Sequence, residues 1–155
     1  MKKISNIILP IIYNDEVKKL YFHEEIKNKR VIIFGLPGAF TPTCSDNHLP
    51  GYLELYKQLK QKNIDDVYCL SVNDHYVMQA WFLSKGIKNS IKGIADGNAE
   101  LTKSLDLLTD KSKNYMGMRS HRFVTIVKNL EIQYLFIEKS GELKVSSAEE
   151  VLKIL

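Results

Sequence analysis

The residues with most chemical promise lie in "GLPGAFTPTCSDNHLPGY", residues 35–52, around one of only two cysteines in the chain. Gly35, Pro37, Gly38 and Pro42 crowd in front of Cys44, and apolar residues at helical spacing follow it. A thiol attacks as its thiolate, and an ordinary cysteine, with a pKa of about 8.5, is mostly protonated at neutral pH. Three features of the stretch favour the anion. Cys44 falls at or just inside a helix start near 43–46, where unpaired N–H groups and the helix dipole stabilise negative charge. Thr41, three residues upstream, can turn its hydroxyl toward the sulfur or a substrate oxygen. Pro37 and Pro42 fix backbone angles and limit the entropy lost on ordering the turn. Asp46 would oppose a thiolate if it pointed inward, so a cation must come from elsewhere.

The stretch "GMRSHRFVTIV", 117–127, offers that cation twice. Arg119 and Arg122 precede or open a strand, and a guanidinium keeps its proton at neutral pH. Its fork can hold a thiolate and a second anionic or peroxide oxygen together. By spacing alone each is an ordinary surface arginine. The second cysteine, Cys69, sits among apolar residues in "DVYCLSV" and reads as an inert core thiol. Cys44 and His48 are spaced i, i+4, half of a metal site at most, because Cys69 and His75 do not supply the second pair a structural zinc needs. No metal is expected from this spacing. His121 is the best base for a cysteine hydrolase, but the adjacent Arg122 favours thiolate stabilisation over base catalysis.

The elements that position these residues follow from hydrophobic patterning. "RVIIFGL" (30–36) and "DVYCLSV" (66–72) are continuous apolar runs, as expected of strands buried on both faces. Between them, Leu49, Leu53, Tyr56 and Leu59 predict a helix over 46–61. Asp74 is the expected N-cap of a helix carrying Val77, Ala80, Trp81 and Leu83, with Gly86 as its stop. "SIKGIAD" (90–96) is a short strand, and 98–107 a short helix capped by Asn98. Residues 122–138 form two strands joined at "KNLE", and Ser146 and Ser147 open a C-terminal helix with Glu149 and Glu150 in its first turn. This order gives an α/β fold, a central mixed β-sheet flanked by helices, and right-handed crossovers point to a thioredoxin-like arrangement. Chemistry in such sheets collects where a strand's carboxyl end meets the next helix, which is where Cys44 falls.

Composition narrows the classes. One domain over 1–155 is expected at this length, and 26% charged with 45% hydrophobic residues excludes a disordered chain. The net charge of +4 is spread along the sequence, and "KNKR" (27–30) reads as a solvated turn, so no nucleic acid is implied. The opening "MKKISNIILPIIYNDE" is interrupted by Asn6 and Pro10 and reads as a first strand, not a leader. No apolar run approaches the roughly 20 residues that span a bilayer, so no membrane is implied. Two cysteines without a secretory signal fit a reducing compartment, cytoplasmic or that of a matured organellar form.

"PGAFTPTCS" contains P-x-x-x-T-x-x-C and resembles the active-site signature of peroxiredoxins. With "CLSVNDHYVMQAW", "GMRSHRF" and "VSSAEEVLKIL", the chain from about Ile4 to Leu155 is similar to the peroxiredoxin-5 type, called type II in plants or the redoxin group. The resemblance implies a thioredoxin-like thiol peroxidase with no metal or organic cofactor. Cys44 would be the peroxidatic cysteine, Thr41 the threonine that hydrogen-bonds the peroxide, Pro37 the shielding proline and Arg122 the activating arginine, with Arg119 behind it. Animal members carry a resolving cysteine near the C-terminus. Here "SGELKVSSAEE" places Val145 there. Cys69 matches a second cysteine of plant members, and reaching Cys44 from mid-strand would require local unfolding. The expected reductant is therefore external, glutathione with glutaredoxin first and thioredoxin second. A homodimer is also implied, packing through an apolar collar of Tyr115, Met116 and Met118 beside Phe40 and Phe123. The competing reading is a non-enzymatic thioredoxin-like module that relays oxidation to a partner.

Overall fold

The apolar run 30–36 forms the middle of the sheet. In a computed structural model that describes residues 2–155, β1 (Ile8–Tyr13) and β2 (Glu16–Tyr21) make a hairpin, and α1 (Phe22–Ile26) leads into β3 (Arg30–Leu36). After the Cys44 turn come α2 (Leu49–Glu54), α3 (Tyr56–Lys60), β4 (Asp66–Ser71), α4 (His75–Ser84) and β5 (Lys92–Ala95). Then α5 (Glu100–Ser104) precedes a small hairpin of β6 (Leu108–Asp110) and β7 (Met118–Ser120). Strands β8 (Phe123–Lys128) and β9 (Glu131–Ile137) and helix α6 (Ala148–Ile154) complete the chain. The main sheet runs β2-β1-β5-β4-β3-β8-β9. Its core, β3, β4 and β5, is parallel, and the flanking pairs are antiparallel, so the expected mixed thioredoxin-like sheet is present.

Strand period sorts the core into two layers. Ile32, Phe34 and Leu36 of β3 point to one face, where they pack with Leu49, Tyr52, Trp81 and Val151 from the helices. Val31 and Ile33 point to the other, against Phe22, Ile26, Leu101 and Leu105. A strand covered on both sides has no polar face to show, which is why 30–36 reads as unbroken apolar sequence.

Several local readings hold and several change. The Asp74 carboxylate accepts from the Val77 N–H at 2.9 Å, and Ser147 caps α6 by accepting from Glu150. Gly86 takes the left-handed φ of +68° that ends α4. The helix expected over 46–61 is not continuous. Residues Cys44–His48 form a π-helical turn closed by the Leu49 N–H on the Cys44 carbonyl, and Leu55 breaks α2 from α3. Pro50 explains the first irregularity: it has no N–H to give the Asp46 carbonyl, so the usual ladder cannot run through this turn. Asn98 does not cap α5 and is exposed. Buried Asp96 does so instead, accepting from the N–H groups of Leu101 and Thr102 at 3.2 and 2.8 Å and from the Thr102 hydroxyl at 2.7 Å. Strand β2, helix α1 and the β6–β7 hairpin carry too few apolar positions to stand out in the sequence.

Candidate active site

Cys44 and Arg122 are 78 residues apart in sequence, and sheet register brings them together. Strand β8 runs antiparallel to β3 with Phe123 opposite Gly35, so the residue before β8 stands at the carboxyl end of β3. Gly35 is what permits this approach. A Cβ there would fall 2.0 Å from the Phe123 ring. Phe123 is thus wholly buried beneath the site and is not part of an exposed collar, as its sequence neighbourhood suggests. Phe40, Tyr115 and Met118 are exposed.

At the floor, Arg122 Nη2 donates to Cys44 Sγ at 3.2 Å, and Nη1 donates to His48 Nδ1 at 2.9 Å. The π-helical turn directs the side chains of Cys44 and His48 to one guanidinium. Asp46, between them, is exposed and leaves the sulfur unopposed. His48 is fully buried, 1% exposed. Its Nε2 lies 3.1 Å from the Ser146 carbonyl, which can only accept, so the proton sits on Nε2 and Nδ1 is free to receive Arg122. Burial first, and the Arg122 charge second, bring the His48 pKa down to about 3, so the ring is neutral. With Nε2 committed to Ser146, His48 cannot complete the Cys44–His48 half-site. Among the described residues no group of three or more His, Cys, Asp or Glu converges as a metal site.

The network continues behind His48. The Tyr52 hydroxyl donates to the same Ser146 carbonyl at 2.7 Å. The Ser146 N–H and hydroxyl donate to Glu138 Oε2 at 2.8 and 2.7 Å, and the Lys144 N–H does so at 2.6 Å. Burial alone would raise the Glu138 pKa, but these donors outweigh it and hold the carboxyl below its ordinary value. A buried carboxylate therefore fixes a carbonyl, the carbonyl fixes an imidazole tautomer, and the imidazole holds the arginine on the sulfur. Sequence reasoning missed Tyr52, Glu138 and Ser146. Only the i, i+4 spacing of His48 from Cys44 hinted at the chain.

The front of the site is held separately. Thr41 Oγ1 donates to the Gly38 carbonyl at 2.7 Å, so its hydroxyl proton is occupied and its oxygen remains an acceptor for an incoming O–H. The Thr41 carbonyl accepts from Ser45 N–H, and the Ser45 hydroxyl accepts from Trp81 Nε1 at 2.8 Å, pinning the turn to α4. Between them Phe40 adopts a left-handed φ of +64°, an uncommon conformation for a large residue. Arg119 does not touch Cys44. It donates to the carbonyls of Met116, Val72 and Pro37 at 2.9, 3.2 and 3.4 Å, tying the Pro37 loop to the end of β4. Above Cys44 lies an open recess of about 220 Å³ lined by Pro37, Thr41, Thr43, Lys111, Met116 and Arg122. Cys69 is fully buried in β4. Burial pushes its thiol pKa well above the ordinary value, the Cys44 sulfur pushes the same way, and Arg122 opposes both. No imidazole hydrogen-bonds Cys44 among the described residues, and the one beside it, His48, gives its Nδ1 to Arg122.

A thiol held by a guanidinium at a strand's carboxyl end, beneath a recess of small-molecule size, defines a class of thiol enzyme on a thioredoxin-like scaffold. Residues 10–152 match the Redoxin family. Over 142 residues the chain is 43% identical to Peroxiredoxin-2D of Arabidopsis thaliana, covering 92% of this chain and 88% of that one. Two solved structures superpose closely. The reduced Prx3 of Vibrio vulnificus in complex with hydrogen peroxide is 37% identical with a TM-score of 0.92, covering 99% of this chain and 97% of that one. The Plasmodium falciparum antioxidant protein, a 1-Cys peroxiredoxin, is 39% identical with a TM-score of 0.91, covering 99% and 95%. The chain belongs to the peroxiredoxin family and is a thiol peroxidase, acting on peroxides through a peroxidatic cysteine with thiol reductants. The enzyme reading thereby displaces the binding-module alternative. No helix among the described residues is long and apolar enough to cross a membrane.

Proposed function

We propose that Cys44 is the peroxidatic cysteine, that it reduces hydrogen peroxide and alkyl hydroperoxides, and that an external thiol recycles it, glutathione with glutaredoxin ahead of thioredoxin. The observation that carries this reading is the 3.2 Å contact from Arg122 Nη2 to a buried sulfur. The Cys44 thiolate attacks one peroxide oxygen, the O–O bond breaks, and Cys44 becomes a sulfenic acid while the other oxygen leaves and takes a proton as water or alcohol. Negative charge grows on the leaving oxygen, and Arg122 is placed to stabilise it. Thr41 accepts from the peroxide hydroxyl, Pro37 walls the recess, and Arg119 positions the Pro37 loop.

Recycling must come from outside. Val145 stands where animal relatives carry a resolving cysteine, and Cys69 is buried with its thiol held in the protonated form. The likeness to a 1-Cys peroxiredoxin and to a structure holding hydrogen peroxide supports both halves of the cycle. Phe40, Tyr115 and Met118 make an exposed apolar rim suited to a homodimer in a reducing compartment. A reductant panel tests the reading. Wild type and Cys69→Ser should turn over peroxide with glutathione and glutaredoxin, and Cys44→Ser should not. Full turnover with thioredoxin and none with glutathione and glutaredoxin would refute the reductant assignment.

A further inference from the structure

Two loops flank the mouth of the Cys44 recess. One joins β6 to β7 through a 3-10 turn at Ser112–Asn114, and the other is the turn from Glu138 to Glu142 after β9. Between them lies a cleft of about 120 Å³ bordered by Lys111, His121, Lys139 and Ser140. It shares Pro37, Thr43, Lys111 and Arg122 with the recess over the sulfur, so the two spaces adjoin.

The charge of this cleft is unbalanced. Its two carboxylates are already engaged, Glu138 by the Ser146 and Lys144 donors and Glu142 by Lys144 Nζ at 3.6 Å. Lys111 and Lys139 make no ion pair among the described residues. Its walls carry hydroxyl, imidazole and charged side chains beside Pro37 and Gly141. A cleft with two unpaired lysines opening beside a reactive sulfur suits a small anion that carries its own thiol.

We propose that this cleft binds the carboxylates of a low-molecular-weight peptide thiol, with Lys111 taking the group nearer Cys44 and Lys139 the farther one. The proposal rests on external recycling and names the chemistry of the reductant. The bound thiolate attacks the sulfenic sulfur, an S–S bond forms, the S–O bond breaks, and hydroxide departs as water with one proton. A second thiol then attacks the peptide's sulfur and releases Cys44 as thiolate, so two thiols end as one disulfide.

The test isolates the recycling step. Cys44 is oxidised with one equivalent of hydrogen peroxide, and its sulfenic acid is verified by dimedone capture in a parallel sample. Reduction is then followed with glutathione, glutathione diethyl ester and 2-mercaptoethanol, with rates expressed per thiolate. Two partly exposed ion pairs predict that glutathione is about tenfold faster than either thiol without carboxylates. That advantage should fall below about twofold in Lys111→Ala/Lys139→Ala and shrink in high salt. Equal rates for all three thiols on the wild type, or a glutathione advantage that survives the double substitution, would overturn the proposal. Should the double variant not fold, the ester comparison on the wild type decides alone. If no sulfenic acid forms on Cys44, the peroxidatic assignment itself falls and takes this proposal with it.

Discussion

Cys44 and Cys69 belong to the same apolar cluster, and both are buried, at 1% and 0% exposure. Their surroundings differ in one respect that bears on the roles proposed for them. Cys69 lies inside β4, paired in register with Phe34 on one side and Gly93 on the other, and burial drives its thiol toward the protonated form. Cys44 begins a π-helical turn at the end of β3, where a guanidinium reaches it from the start of β8. Burial alone quiets a thiol; under the proposed function, the cation held beside Cys44 activates one. The two arginines repeat the contrast. Arg122 has donors aimed at Cys44 and His48, whereas Arg119 gives its donors to three backbone carbonyls.

The contrast can be broken at several points, and the largest effect is at the sulfurs themselves. Cys44→Ser should lower peroxide turnover by roughly 10⁴-fold or more, to background, while Cys69→Ser stays within about twofold. Coupled peroxidase assays on folded variants check this. Next comes the cation. Arg122→Ala should slow single-turnover oxidation of Cys44 by about 10²–10³-fold, the usual loss when a preorganised donor is removed. Arg122→Lys should recover only part of it, because a point charge cannot serve sulfur and imidazole together. Arg119→Ala should act chiefly on folding, lowering stability by about 1–3 kcal/mol with a smaller loss of rate.

The imidazole behind the arginine makes the contrast depend on pH. His48 titrates near 3 in the folded chain and near its ordinary 6.5 when unfolded, so between these values the unfolded state binds the extra proton. Its neutral burial therefore costs nothing above pH 6.5, and stability falls as pH drops below it, by about 1.4 kcal/mol per unit. Denaturant titrations at pH 7 and pH 5 should differ by about 2 kcal/mol from this group, and His48→Gln should flatten that slope. Glu138, whose carboxyl is held below its ordinary 4.5, adds a further loss only at lower pH. The smallest effect is expected at Glu138→Gln. It keeps the shape but loses the charge that orders Ser146, costing about 1–2 kcal/mol and slowing Cys44 oxidation a few-fold.

Much of this was legible in the sequence because it is local. The apolar run of β3, the Asp74 and Ser147 caps and the Pro37–Cys44 turn each announce themselves within a few residues. Arg122 was legible as chemistry, since a thiolate needs a cation, but its place came from antiparallel register across β3 and β8. What stayed hidden depends on long-range packing. Glu138 and Ser146 reach His48 only after β9 and the following turn fold back against the π-helical turn. Asp96 outranks Asn98 as a cap because its strand ends directly beneath the first amides of α5. The break at 46–61 was foreshadowed by Pro50, yet the helical spacing of Leu49, Leu53, Tyr56 and Leu59 spoke louder.

The division of labour between the two cysteines is tested most directly by mass spectrometry of wild-type protein after one equivalent of hydrogen peroxide in the presence of dimedone. The account predicts a single dimedone adduct on Cys44 and an unmodified Cys69 thiol. A rapid, stoichiometric Cys44–Cys69 disulfide, or an adduct on Cys69, would contradict it.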